Sequence, residues 1–232
     1  MMTHCTHTSL GSRVQRGFTL IELLVVIGII VLLLGSIGLA LKGSNPSNAL
    51  QTGQGIVSSM LNSARGQAIL KQQNAGVFVN MNPPTPTNPN PDRYLRHLVV
   101  AVDTSAAQDG SGWTPIDDGV TLPTGVYVVP KDTSPTTVFY YPNAAAFAAL
   151  NSSALSANTT LSVNSSTAEP YAYFSITPLG TTSSGNIVLS TARSSPGAGN
   201  TTTLTFDNAN NVRGISISPY GIATLINESA SF

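Results

Sequence analysis

From Leu23 to Leu41 the chain runs for nineteen positions without a charge, and fourteen of them are Leu, Ile or Val. A helix rises about 1.5 Å per residue, so this run spans roughly 28 Å, close to the hydrocarbon thickness of a bilayer. Each aliphatic residue favours insertion by roughly 0.3–0.6 kcal/mol, about 4–8 kcal/mol together, which outweighs the cost of Gly28, Gly35 and Gly38. The pattern predicts a transmembrane helix over residues 18–42. Arg13 and Arg16 precede the run and only Lys42 follows it closely. The positive-inside bias therefore puts the N-terminus in the cytoplasm and the rest of the chain outside.

Gly43-Ser44-Asn45-Pro46 interrupts the apolar run, with Asn45 as a cap and Pro46 at the first turn of a second helix. Apolar residues then recur at Leu50, Ile56-Val57, Met60-Leu61, Ala64, Ala68 and Ile69, a helical spacing that marks one buried face. The opposite face carries Gln51, Gln54, Ser58, Asn62, Arg65 and Gln72. An amphipathic helix within residues 43–75 is expected, ending near Gln73.

The period then changes. Short β-branched and aromatic runs separated by turn residues predict strands at 76–81, 94–103, 126–129, 138–141, 171–177, 186–191, 202–206, 212–218 and 222–226. A short helix is expected over 144–150. Five prolines between Asn82 and Asp92 read as a solvated loop, and Asp207-Asn208 and Pro219-Tyr220-Gly221 as hairpin turns. Helix first and strands later gives an α+β domain over 76–232, an antiparallel sheet packed on the amphipathic helix.

Charged residues are 9% of the 232, against the roughly 25% usual in soluble domains. Between Asp132 and Asp207 only Glu169 and Arg193 are charged, and Ser, Thr, Asn and Ala abound, which suits an exported surface. Net charge is zero, so no large field steers the protein toward nucleic acid. The one cysteine, Cys5, and two of the three histidines, His4 and His7, lie ahead of the apolar run.

A secretory signal peptide is the competing reading of the N-terminus. Its apolar core is about 7–15 residues long and ends at a small-residue cleavage site. Gly38-Leu39-Ala40 is a poor version of that site, the run is too long, and Glu22 stands at its start. The string Arg16-Gly17-Phe18-Thr19-Leu20-Ile21-Glu22-Leu23-Leu24 instead resembles the signature of type IV prepilins. That resemblance implies a leader, 1–17, removed after Gly17 by a membrane prepilin peptidase that also methylates the new N-terminus on Phe18. It implies too that the apolar helix is retained as the anchor and assembly element.

A carboxylate at a membrane edge needs a partner. Cleavage would create an ammonium on Phe18, four residues before Glu22 and on the same helical face. Glu22 of one subunit could then neutralise the Phe18 amine of its neighbour in a bundle with little water.

Further along, Asn62–Val77, Trp113–Ile116 with Leu122–Val126, and Phe174–Gly180 with Asn186–Leu189 and Ile215–Ile222 are similar to the type II secretion minor pseudopilin H and FimT-type minor pilin family. The resemblance implies a structural subunit of a secretion pseudopilus. Its partners would be the prepilin peptidase, other pilin or pseudopilin subunits and the lipid of a bacterial inner membrane, with the C-terminal domain in the periplasm or in a filament outside the cytoplasm. A type IV pilus minor pilin that captures DNA, and a tethered surface protein that never polymerises, are the alternatives.

No enzyme is expected. Without the leader the chain has one histidine, His97, three glutamates and no cysteine, so a lone His lacks nucleophile and orienter. Asp117-Asp118 and Asp207–Asn211 faintly resemble calcium ligands, but turn chemistry explains both; no metal and no cofactor are expected. Nucleic acid is not expected as a partner, because the basic residues are few and scattered.

Overall fold

The computed structural model describes residues 19–41, 46–132, 139–140, 144–164, 167–197, 202–206 and 208–232, with the side chains of the first helix described from 20 to 31. The cap expected at Asn45 and the turn residue Asp207 lie outside these. The chain forms two compact units, Met1–Ser44 and Asn45–Phe232.

The first unit contributes helix α1, Leu20–Leu41. The second opens with helix α2, Pro46–Lys71, whose first residue is a proline, as suits a position where a missing N–H costs nothing. At the other end Gln72 takes a left-handed φ of 54°, Gln73 N–H donates to Ala68 O, and the Gln72 amide donates to Ile69 O. These bonds occupy carbonyls that a helix end otherwise leaves open.

Among the described residues twelve strands follow, in two six-stranded sheets rather than one. The first sheet has the order β3-β2-β1-β8-β7, with β4 also paired to β2. Its strands are β1 (Ala75–Asn80), β2 (His97–Asp103), β3 (Trp113–Pro115), β4 (Val120–Thr121), β7 (Ala157–Leu161) and β8 (Glu169–Ile176). The second has the order β12-β11-β9-β10-β6, with β5 on β9. It contains β5 (Val126–Val128), β6 (Phe139–Tyr140), β9 (Gly185–Pro196), β10 (Thr202–Phe206), β11 (Val212–Ile217) and β12 (Ala223–Ile226). A short helix, α3, spans Ala144–Ala148. Among the described residues the strand pairs are antiparallel, except that β10 runs parallel to β6.

Helix α2 packs on both sheets. Leu50, Val57, Leu61, Ala64 and Ala68 meet Val77, Val100 and Phe174 of the first sheet and Val126, Leu189 and Ile215 of the second in one buried cluster. Gly53 lets the helix approach closely: a Cβ there would lie 3.2 Å from Val126 Cγ1 and 3.4 Å from Leu189 Cδ1. Burying each such aliphatic side chain stabilises the fold by roughly 1.5–3 kcal/mol.

Three further expectations need correction. Gln54, assigned by residue type to the polar face, is buried, and its amide donates to Gly214 O at 2.7 Å and Ile226 O at 2.9 Å. It ties α2 to β11 and β12 by satisfying two strand carbonyls. Ile69, assigned to the core face, is 45% exposed at the end of the helix. Strands β10 and β11 form no hairpin with each other: both pair with β9, with Phe206 opposite Ala192 and Val212 opposite Ser190. The Pro219–Gly221 turn does close one, between β11 and β12, with Gly221 at φ 66° and its N–H donating to Ser218 O.

The Pro-rich loop is solvated at Pro86, Thr87, Pro89, Pro91 and Asp92, and it is also pinned. Buried Glu169 accepts hydrogen bonds from the amides of Asn80 at 2.6 Å and Asn90 at 3.4 Å. Asn88, also buried, donates to Asn82 O and Pro83 O and accepts from Asn90 N–H.

Candidate functional site

Gly17 and Phe18 lie outside the described residues. Glu22 lies in the first turn of α1, and its neighbours explain how that helix starts. Thr19 precedes the helix; its backbone N–H and its hydroxyl both donate to Glu22 Oε2, at 3.0 and 2.9 Å. In return Glu22 N–H donates to Thr19 Oγ1 at 3.3 Å. This is a capping box, in which two otherwise orphaned donors are satisfied reciprocally. The carboxylate also sits where the helix dipole favours negative charge. Both Thr19 donors fall on one carboxylate oxygen, Oε2.

Beyond the box α1 is apolar on every side. From Leu20 to Val31 each described side chain is exposed, Leu20 at 84% and Ile30 at 48%. A helix hydrophobic all round is stable only when lipid or other helices cover it. Among the described residues no helix is long and apolar enough to cross a membrane. The uncharged run of the sequence extends to Leu41, ten residues beyond the last α1 side chain described.

Other candidate groups are used within the fold. His97, a buried residue, pairs through Nδ1 with the Tyr171 hydroxyl at 3.2 Å and through Nε2 with Asp118 O at 2.8 Å. Burial holds its pKa below the ordinary value, against the opposing pull of the Asp118 carbonyl. Arg96 donates to Leu122 O at 2.8 Å and lies 5.6 Å over the Tyr127 ring. Among the described residues no three His, Cys, Asp or Glu side chains are grouped so as to hold a metal ion.

Residues 12–38 match the model of the prokaryotic N-terminal methylation motif. The N-terminal segment thus carries the N-methylation motif of prepilin-type proteins. The match takes in Gly17 and Phe18, the capping box and most of α1. No curated protein matches the chain. Among solved structures, the type IV minor pilin FimU of Pseudomonas aeruginosa aligns at a TM-score of 0.39 and 13% identity, over 79% of this chain and 91% of that one. The minor pseudopilin EpsH from the type 2 secretion system of Vibrio cholerae aligns at a TM-score of 0.39 and 11% identity, over 77% and 97% respectively.

The capping box is the feature that the sequence reading missed. Thr19-x-x-Glu22 ahead of an apolar run is itself a sequence signal for a helix start.

Proposed function

We propose that this protein is a structural subunit of a pilus-type filament, processed at its N-terminus, anchored by α1 and assembled through it. The system we assign is the pseudopilus of a type II secretion machine. One observation carries the reading: the methylation motif over 12–38 takes in most of an apolar helix whose described side chains are exposed. In the inner membrane lipid would cover α1, and in the filament the α1 helices of neighbouring subunits would. Prepilin peptidase would cleave after Gly17 and leave an ammonium on Phe18, next to Thr19. A neighbour's Glu22 is the anion within the motif that can neutralise it. The globular unit would then project into the periplasm.

The type IV minor pilin of a DNA-uptake system shares every one of these steps up to assembly. Charge favours the secretion reading. Removing Arg13 and Arg16 leaves eight Lys and Arg against ten Asp and Glu, and residues 220–232 contain Glu228 and no basic side chain.

The mass of the protein purified from membranes of cells with active prepilin peptidase tests the processing step. A mature chain beginning at methylated Phe18 is expected. A chain cut after Ala40, or left uncut, would overturn the reading.

A further inference from the structure

Among the described residues of the Asn45–Phe232 unit, eight large apolar side chains are exposed, and seven of them fall in two patches. The first lies where two turns meet beside the C-terminal end of α2. Leu179 is on the turn between β8 and β9; Tyr220 and Ile222 are on the turn between β11 and β12, and Ile69 and Leu70 are on the helix. Thr182 N–H donates to Pro219 O at 3.0 Å, joining the turns. A Cβ on Gly180 would lie 3.1 Å from Arg65 Nε and 3.4 Å from Ile69 Cδ1, and one on Gly221 would lie 3.5 Å from Arg65 Cδ. Arg65 therefore sits against both turns. Its Nε is buried without a hydrogen-bond partner among the described residues. A guanidinium cannot shed its charge, and Arg65 as a whole is only half-buried, so it puts a permanent cation beside Ile69 that suits a carboxylate from outside.

The second patch has the opposite sign. Ile116 and Val120, 37% and 41% exposed, flank the exposed Asp117 and Asp118 on the turn between β3 and β4. That turn is held in shape. Gly119 N–H donates to Asp117 Oδ1 at 2.9 Å, and His97 Nε2 pairs with Asp118 O. Val120 is opposite Leu98, whereas the Leu179 turn follows Ile176, which pairs with Ala75, itself opposite Val102. The patches are thus about 13 Å apart along β2 and about 14 Å apart across three strand spacings. They cannot cover each other within one chain.

We propose that these patches are the two halves of one contact between copies of this chain, the Arg65 patch of one copy seated on the Asp117-Asp118 patch of the next. The occupant of each is thus a second copy. Two charged patches, each with an apolar surround and opposite in sign, complement one another as interfaces require. Because the halves differ, the contact is head-to-tail, the type that propagates into a ring or an open helical filament. The proposal rests on the reading of the protein as a filament subunit and names the surface by which its globular units would stack.

Two differently tagged full-length chains, both carrying Cys5→Ser, test it in membranes of cells with active prepilin peptidase. One carries Leu179→Cys and the other Val120→Cys. Mild oxidation should give a mixed disulfide-linked dimer bearing both tags, while either cysteine alone gives none. Arg65→Glu on the first copy should lower the yield roughly tenfold, as loss of a close charge pair does at interfaces. Asp117→Lys with Asp118→Lys on the second copy should then restore it, which rules out misfolding of the arginine variant. Absence of mixed dimer, a product from either cysteine alone, trapping of a different protein, or a yield indifferent to the charge changes would each overturn the contact. The mass of the same samples reads the Phe18 N-terminus separately. A failed contact with a mature Phe18 chain therefore leaves the processing step of the filament reading standing.

Discussion

Glu22 is asked to do two things with one carboxylate. Within its own chain it accepts both Thr19 donors on Oε2 and closes the first turn of α1. In the proposed filament it also neutralises the Phe18 amine of a neighbour. Glu22→Ala should leave membrane insertion intact, because the segment becomes more apolar. It should abolish crosslinking to other pilins from single cysteines placed in α1. Thr19→Ala keeps the carboxylate but loses the hydroxyl, so an intermediate crosslinking yield is expected; a yield as low as that of Glu22→Ala would assign assembly to the cap itself. The position of Glu22 at a helix start was legible in the string Thr19-Leu20-Ile21-Glu22, whereas the role of Asp103 was not. Its side chain is buried and accepts N–H groups from Ser105, Gly110 and Gly112, at 3.0, 2.7 and 3.3 Å. Burial pushes its pKa up, but the Ser105 side chain and these three N–H donors together outweigh it and leave the pKa below the ordinary 3.8. A depressed folded-state pKa stabilises the fold above the unfolded value and is lost as pH falls through the folded value. Asp103→Asn should therefore cost about 1–3 kcal/mol in a neutral-pH melt, and the deficit should shrink as the pH falls below the ordinary 3.8. A deficit constant with pH would assign the loss to packing instead.

Helix α2 shows why residue type alone misplaces a side chain. Its apolar period was readable, because a helical face that packs on sheets must repeat every three or four residues. Gln54 broke the rule because its acceptors, Gly214 O and Ile226 O, are 160 and 172 residues away in sequence. No local pattern carries that information. Replacing Gln54 by Leu would leave both carbonyls without this donor and should cost about 1–3 kcal/mol. Leu61→Ala, a fully buried truncation on the same helix, should cost about 2–5 kcal/mol. Urea melts of the 45–232 fragment would measure both, and a neutral Gln54→Leu would mean that the amide contributes nothing beyond its volume. The apolar strands were legible for the same reason as α2. Strand β7, Ala157–Leu161, was not: its sequence Ala-Asn-Thr-Thr-Leu is polar, and only Leu161 of the five is buried. An edge strand with one buried residue looks like a Ser/Thr-rich loop until its partner β8 is in place.

At the scale of the whole molecule, the α+β class was legible and the division into two sheets was not. The division depends on which strands pair, and β9, read as six residues, is a twelve-residue strand that pairs with β5, β10 and β11. Distribution of charge over this scaffold bears on the DNA-uptake alternative. Nonspecific DNA affinity comes from clustered Lys and Arg that displace counterions from phosphates. Arg93 and Arg96 are the nearest pair in sequence beside the Pro-rich loop, but Arg96 is half-buried and spends its guanidinium on Leu122 O and the Tyr127 ring. Arg213 donates to Asn227, and Arg65 lies against two turns at the end of α2. These arginines form no continuous stripe, since Arg65 is on α2, Arg93 and Arg96 are beside the Pro-rich loop and Arg213 is on β11. The fragment from about Ser47 onward should therefore show no saturable binding to duplex DNA in an anisotropy titration at about 150 mM salt, where the Debye length is only about 8 Å. Binding in the low-micromolar range that disappears in Arg93→Ala/Arg96→Ala would move the protein from secretion to DNA uptake. The side chain that decides is Arg96, because its present contacts would have to open for a phosphate to take their place.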